Sequence, residues 1–89
     1  MHEASLMVAL MRNIDAVAAQ EDADRVTAVR VRLGALSHMT PDHFREHWNV
    51  TAAGSIAQDA SLTIETSDDL SDPTAQDVTL LSVDVEEPL

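Results

Sequence analysis

The sequence predicts an α+β domain, a two-layer α/β arrangement in which a small three-stranded mixed sheet carries two helices on one face. Three observations lead there. Apolar residues recur at helical spacing in two stretches and alternate with polar residues in three shorter ones. These stretches follow the order helix, strand, helix, strand, strand. That order lets a crossover through the second helix set the first two strands parallel, while the third strand returns antiparallel. The 89 residues make room for one small domain, spanning 1–89. Its core is expected to bury about 60 to 65 per cent of the unfolded chain's surface.

Each element has its own signal. Over residues 4–20, Leu6, Leu10, Ile14 and Val17 form an apolar stripe that Met7, Met11 and Ala18 widen. The methionines at this spacing read as core packing and not as soft metal ligands. After the acidic break Glu21-Asp22-Ala23-Asp24, residues 25–33 alternate Val29, Val31 and Leu33 with Arg30 and Arg32, a strand with one wet face. Arg25, Arg30 and Arg32 offer a small cationic patch, for which neutralising the acidic surface is the simpler role. Gly34-Ala35-Leu36-Ser37 turns the chain. Thr40 as N-cap, Pro41 as first helical residue and Asp42 in the first turn then start a second helix that runs to about residue 53 and stops at Gly54. Its buried face is expected to be Phe44, Trp48 and Ala52, with Trp48 the anchor. Residues 60–65 alternate Leu62 and Ile64 with polar partners and give a second strand. The acidic stretch 66–77 reads as a solvated connector, and residues 78–85 give a third strand. In that strand Leu81, Val83 and Val85 share one parity, whereas Val78 and Leu80 fall on the other, so the register at its start is open.

Composition narrows the partners. Sixteen acidic residues against five arginines and no lysine give a net charge of -11. Nucleic acid and anionic membrane surfaces are therefore poor partners, and metal ions or cationic surfaces better ones. The absence of cysteine excludes disulfides, thiolate zinc sites and thiol nucleophiles. No signal peptide and no membrane-spanning run is visible, which leads to the expectation of a cytoplasmic protein. Glycine-rich phosphate loops and credibly spaced Ser/His/Asp arrangements are missing too, so no enzymatic activity is expected.

The chemistry concentrates at the N-terminus. In Met1-His2-Glu3 the terminal amine, the His2 amide nitrogen and the His2 imidazole can close two fused chelate rings on one ion. Planar, nitrogen-rich sites favour Ni(II) or Cu(II). Glu3 can complete the plane through its amide or carboxylate, or the edge can stay open to a partner. A residue as large as histidine at position 2 is expected to keep Met1 in place. A bound nickel carrying two deprotonated amides is formally uncharged, so the positive end of the first helix hardly repels it. Weaker secondary candidates are His43 and His47, four residues apart on one helix face, with His38 in the preceding loop. The pair lacks the glutamate directly after the first histidine that zinc hydrolases carry, since Phe44 stands there. Asp68, Asp69 and Asp72 lack the alternation, glycine and closing glutamate of an EF-hand.

Taken together, Met1-His2-Glu3-Ala4-Ser5-Leu6, the turn Leu33-Gly34-Ala35-Leu36-Ser37, the proline-started helix and the strand Ala60-Ser61-Leu62-Thr63-Ile64-Glu65 resemble the HypA/HybF family of nickel metallochaperones. The resemblance implies that His2 is the principal Ni(II) ligand, accompanied by the Met1 amine and Glu3. It further implies delivery of nickel to an enzyme precursor such as the hydrogenase large subunit, commonly with a HypB-like GTPase and sometimes for urease. Members of that family carry a zinc domain with two Cys-x-x-Cys pairs between the last two strands. Here the acidic segment 66–77 takes its place, marking a short form with no structural zinc expected and with GTPase docking in question. Two functions from different classes follow: a nickel carrier, or a metal-independent adaptor or assembly subunit that keeps the HypA-like fold and uses its acidic surface to hold a partner.

Overall fold

In the computed structural model, residues 2–87 are described, with side chains from residue 4 onward. Five elements succeed one another: α1 (His2–Gln20), β1 (Arg25–Leu33), α2 (Pro41–Ala52), β2 (Ser61–Thr66) and β3 (Val78–Glu86). The sheet order is β2-β1-β3, with β1 parallel to β2 and antiparallel to β3. The expected α+β architecture, a mixed three-stranded sheet under two helices, is thus the observed one.

One apolar core joins the layers. Met7, Leu10, Ile14 and Ala18 of α1, Val26, Val29, Val31 and Leu33 of β1, and Phe44, Trp48 and Ala52 of α2 are all buried in a single cluster. The central strand supplies the most deeply buried sheet residues because both its edges are paired and one face is covered. On α1 the buried part of the expected stripe runs through Met7, Leu10, Ile14 and Ala18, whereas Leu6 and Val17 are only half-buried on its flank. The other sheet face is polar. There Glu65 takes ion pairs from Arg30 and, at 3.8 Å, from Arg32, while Arg25 pairs with Glu86 at 3.1 Å. The arginines therefore neutralise carboxylates beside them, and such exposed pairs contribute only about 0 to 1 kcal/mol each.

Two bulges set the register of β3. Arg30 faces Ser82 but Val31 faces Leu80, so Leu81 is an extra residue. Val78 and Leu80 on one side of it, and Val83 and Val85 on the other, all pack against the core. The change of parity visible in the sequence is the trace of this bulge. Thr27 is the corresponding extra residue of β1, between Val26↔Val85 and Ala28↔Asp84.

At the start of α2 the Thr40 hydroxyl accepts from the His43 amide at 3.2 Å, a cap that contributes about 1 kcal/mol. Gly54, at φ +77°, ends that helix in the left-handed conformation glycine allows.

The connector 67–77 is less solvated than the sequence suggests. Ala75 is buried, its carbonyl accepts from the Leu36 amide at 2.7 Å, and the Asp77 carbonyl accepts from Gly34 at 2.9 Å. Within the connector, the Thr74 amide and hydroxyl both donate to Asp72 Oδ1 at 2.8 Å. These bonds, with the nearby Arg32 charge, hold the Asp72 carboxyl below its ordinary value of 3.8. A carboxylate with a depressed folded pKa stabilises the fold above its unfolded value, and that contribution is lost as pH falls through the folded value. Asp72→Asn is therefore expected to reduce the fall in melting temperature on acidification below pH 3.8 by a small margin. An acid limb equally steep in both proteins would contradict the assignment.

Candidate metal site

Helix α1 begins at His2, two residues earlier than the apolar periodicity marks, so His2 and Glu3 form its first turn. The backbone amides of a first helical turn have no intrahelical acceptor. The N-terminal amides called on as metal donors are thus not committed to the helix ladder. Met1 and the side chains of His2 and Glu3 lie outside the described residues.

The other histidines are placed in detail. His38 sits in the loop before α2 at φ +60°, a left-handed conformation that histidine tolerates better than most residues. Its side chain is exposed. One turn into α2, His43 and His47 stand side by side. Their rings stack at a centroid separation of 4.8 Å and an interplanar angle of 21°, and their Nε2 atoms are 2.9 Å apart. The structure thus brings two of the three secondary candidates together. No group of three or more His, Asp or Glu side chains converges among the described residues, so His38 does not join the pair as a third ligand. Asp68, Asp69 and Asp72 likewise form no such cluster; Asp69 and Asp72 each accept from the residue two positions on, as turn-forming aspartates do.

Sequence reasoning missed an open groove of about 770 Å³ between α1 and β3, lined by Leu6, Val17, Met39, Val78 and Leu80 among others. The signal was present in the width of the α1 stripe. A helix resting on a sheet through Met7, Leu10, Ile14 and Ala18 leaves Leu6 and Val17 over, and these two supply the large apolar side chains of the α1 wall of the groove, beside Asn13, Ala16 and Gln20.

Comparison with known proteins places the chain in a family. Residues 1–70, which hold α1, β1, α2 and β2, match the family model described as hydrogenase/urease nickel incorporation, metallochaperone, HypA. The match ends inside the connector. Curated relatives named hydrogenase maturation factor HypA include one from Archaeoglobus fulgidus, 39% identical over 64 residues, and one from Methylocella silvestris, 35% identical over 65 residues. Those segments cover 72% and 73% of this chain and 58% of each relative, so the chain matches less than two thirds of their length. Among solved structures, the solution structure of the Ni metallochaperone HypA from Helicobacter pylori superposes with a TM-score of 0.80 at 18% identity, covering 97% of this chain and 98% of that one. A second HypA solution structure gives a TM-score of 0.73 at 21% identity, covering 96% of each chain. These two likenesses bear on the fold, which is the same two helices over a three-stranded mixed sheet. The match of the family model over both helices and the two parallel strands establishes that this chain belongs to the HypA family of nickel-incorporation metallochaperones.

Proposed function

We propose that this chain takes up Ni(II) at Met1-His2-Glu3 and passes it to the precursor of a [NiFe]-hydrogenase or a related nickel enzyme in the cytoplasm, acting as a carrier and not as a catalyst. The observation that carries this reading is the placement of His2 and Glu3 at the head of α1 in a chain of this family. The Met1 amine, the His2 amide and the His2 imidazole are the donors, with Glu3 or the acceptor filling the fourth edge of the plane. The precursor, such as a hydrogenase large subunit, supplies the ligand that draws the ion away. Hydrogenase maturation is the role named for the relatives from Archaeoglobus fulgidus and Methylocella silvestris. The cysteine-free connector stands where the resemblance implies a zinc domain, so this short form holds no structural zinc. Any HypB-like GTPase would dock without that lobe.

The test is nickel titration and nickel transfer to an apo-acceptor, on protein with its native terminus, acetylated at Met1, changed His2→Ala, or extended by one glycine before Met1. Acetylation and His2→Ala each remove a donor, so tight binding and transfer should both fail. The glycine extension moves the histidine to third place, where amine, two amides and imidazole fill the whole plane. It should bind at least as tightly yet deliver poorly, because no edge is left for the acceptor. For the native terminus, affinity should fall steeply below about pH 6, since the imidazole (reference pKa near 6.5) and the amine (about 7.7 to 8.0) must both lose protons. Equal binding and delivery by all four proteins would leave the metal-independent adaptor as the function.

A further inference from the structure

We propose that the free edge of β3 at residues 78–80, with the groove beside it, docks an extended segment of a partner protein in which apolar and basic residues alternate, taken up as a fourth strand of the sheet. The direction of the backbone groups carries the inference. β3 pairs with β1 alone, so one of its edges is open. Gly34 donates to the Asp77 carbonyl at 2.9 Å, and in an antiparallel ladder such bonds recur at every second residue. Thr79, opposite Arg32, therefore bonds inward to β1, whereas Val78 and Leu80, opposite Leu33 and Val31, turn their amides outward. Leu33 agrees with this, since its carbonyl accepts from Ser67 at 3.0 Å on the β2 side. Among the described residues, no hydrogen bond from another element reaches Val78 or Leu80 on that outer side. The opposite edge differs: Arg45 of α2 reaches the Leu62 carbonyl of β2 at 3.3 Å.

The surroundings select the occupant. The outward groups of Val78 and Leu80 open beside the groove of about 770 Å³, whose walls include their own side chains with Leu6, Val17 and Met39. A strand laid along this edge sends alternate side chains to the two faces of the sheet, so every second one enters the apolar groove. The others lie on the polar face, where β3 contributes Asp84 and Glu86 and no basic residue. Asp77, the one charged residue lining the groove, is exposed at the head of this stretch, and Asp84 is exposed beyond it. Basic side chains on the incoming segment thus meet a carboxylate at either end. A second copy of this chain is a poor occupant by the same reasoning. Each copy carries a net charge of -11, and pairing β3 with β3 would bring Asp77 and Asp84 of both to one seam. The charges and prolines that commonly blunt an edge are absent from Val78-Thr79-Leu80. Main-chain hydrogen bonds to such an edge give affinity, and a pocket for alternate side chains gives selectivity.

The test uses the full chain without metal and a synthetic heptapeptide of alternating lysine and valine, with amide hydrogen exchange followed residue by residue. In the free protein the Val78 and Leu80 amides are expected to exchange fast although they stand in a strand, while Thr79 between them is protected. Adding the peptide should slow Val78 and Leu80 by about tenfold or more and shift the Leu6 and Val17 methyl resonances. Two control peptides should do neither. One has glutamate in place of lysine and meets the carboxylates with like charge; the other is the lysine peptide N-methylated at every amide, which has no donor to offer the edge. Val17→Lys should weaken binding by about tenfold or more, because it removes apolar burial and adds repulsion. Val78→Pro deletes one outward N–H at the first residue of a strand, a position that proline tolerates. It should weaken binding about two- to tenfold with an unchanged circular dichroism spectrum. Should that variant unfold, the N-methylated peptide puts the same question to unchanged protein. Slow exchange at Val78 and Leu80 in the free protein, with sedimentation showing a dimer, would mean that a second copy covers the edge and would overturn the proposal. So would equal binding of the lysine and glutamate peptides, methyl shifts without amide protection, or no binding of the lysine peptide.

Discussion

Phe44→Ala is expected to destabilise the fold by about 3 to 5 kcal/mol, the range for emptying a buried aromatic site. Phe44 has no exposed surface and belongs to the cluster that joins both helices to β1. Its ring thus helps hold the two layers together, and the shortened side chain leaves a cavity in a cluster whose β-branched members, Val26, Val29 and Val31 among them, are stiff at χ1 and adjust poorly to fill it. A chain of 89 residues holds roughly 4 to 13 kcal/mol in total, at about 0.05 to 0.15 kcal/mol per residue. The variant should therefore lose a large part of its stability and show a much lower urea midpoint with little change in slope. A loss below about 1 kcal/mol would show that the core collapses around the gap, contrary to the packing described.

The second large effect is expected at Gly34, where Gly34→Ala places a methyl group against backbone and not against a movable side chain. The added Cβ would lie 2.2 Å from the Ala75 carbonyl oxygen, 2.6 Å from its carbon and 2.8 Å from the Thr74 oxygen. The connector must move away, which weakens the Gly34 to Asp77 and Leu36 to Ala75 hydrogen bonds and lifts Ala75 out of the core. Overpacking costs about 1 to 3 kcal/mol. Each hydrogen bond lost adds about 0.5 to 1.5 kcal/mol. Amide hydrogen exchange at Gly34, Leu36 and Ala75 separates this mechanism from a global one: those amides should lose protection before the amides of β1 do. Equal loss across the sheet, or none at all, would place the strain elsewhere.

Much of the fold could be read in the residues because several local signals agreed. The bounds of β1 coincide with the expected ones, since an acidic break precedes it and Gly34 follows it. The start of α2 coincides because Thr40, Pro41 and Asp42 each favour the same boundary. What escaped depends on neighbours distant in sequence. The bulges at Thr27 and Leu81 exist to keep Val26, Val83 and Val85 facing the core, and only the parity change in β3 hinted at one of them. Which edge of the wide α1 stripe is buried, that of Met7 and Ala18 and not that of Leu6 and Val17, follows from where the sheet and α2 lie, which no periodicity within α1 reveals. Of the candidate ligands, the closeness of His43 and His47 was legible from their spacing, but the 2.9 Å between their nitrogens depends on ring orientation and was not. Gly34 announced a turn; that it also gives way to a backbone passing within contact distance required the path of the connector.

Leu33 pairs with Thr66 on one side and with Val78 on the other. The chain between β2 and β3 therefore leaves and re-enters the sheet at one end, across two strand spacings of about 4.8 Å each. Such a doorway is largely indifferent to what passes through it. Doubling the length of a flexible excursion between fixed posts costs only about 0.6 kcal/mol. The posts themselves are held by the strand ladders and by Ala75 and Asp77, whereas Asp68, Asp69, Leu70 and Ser71 are exposed. Evolution could thus lengthen, shorten or exchange the excursion at residues 68–71 while the two-layer body went on folding unaided. In that sense the body is a socket, and the short acidic connector is one plug that fits it.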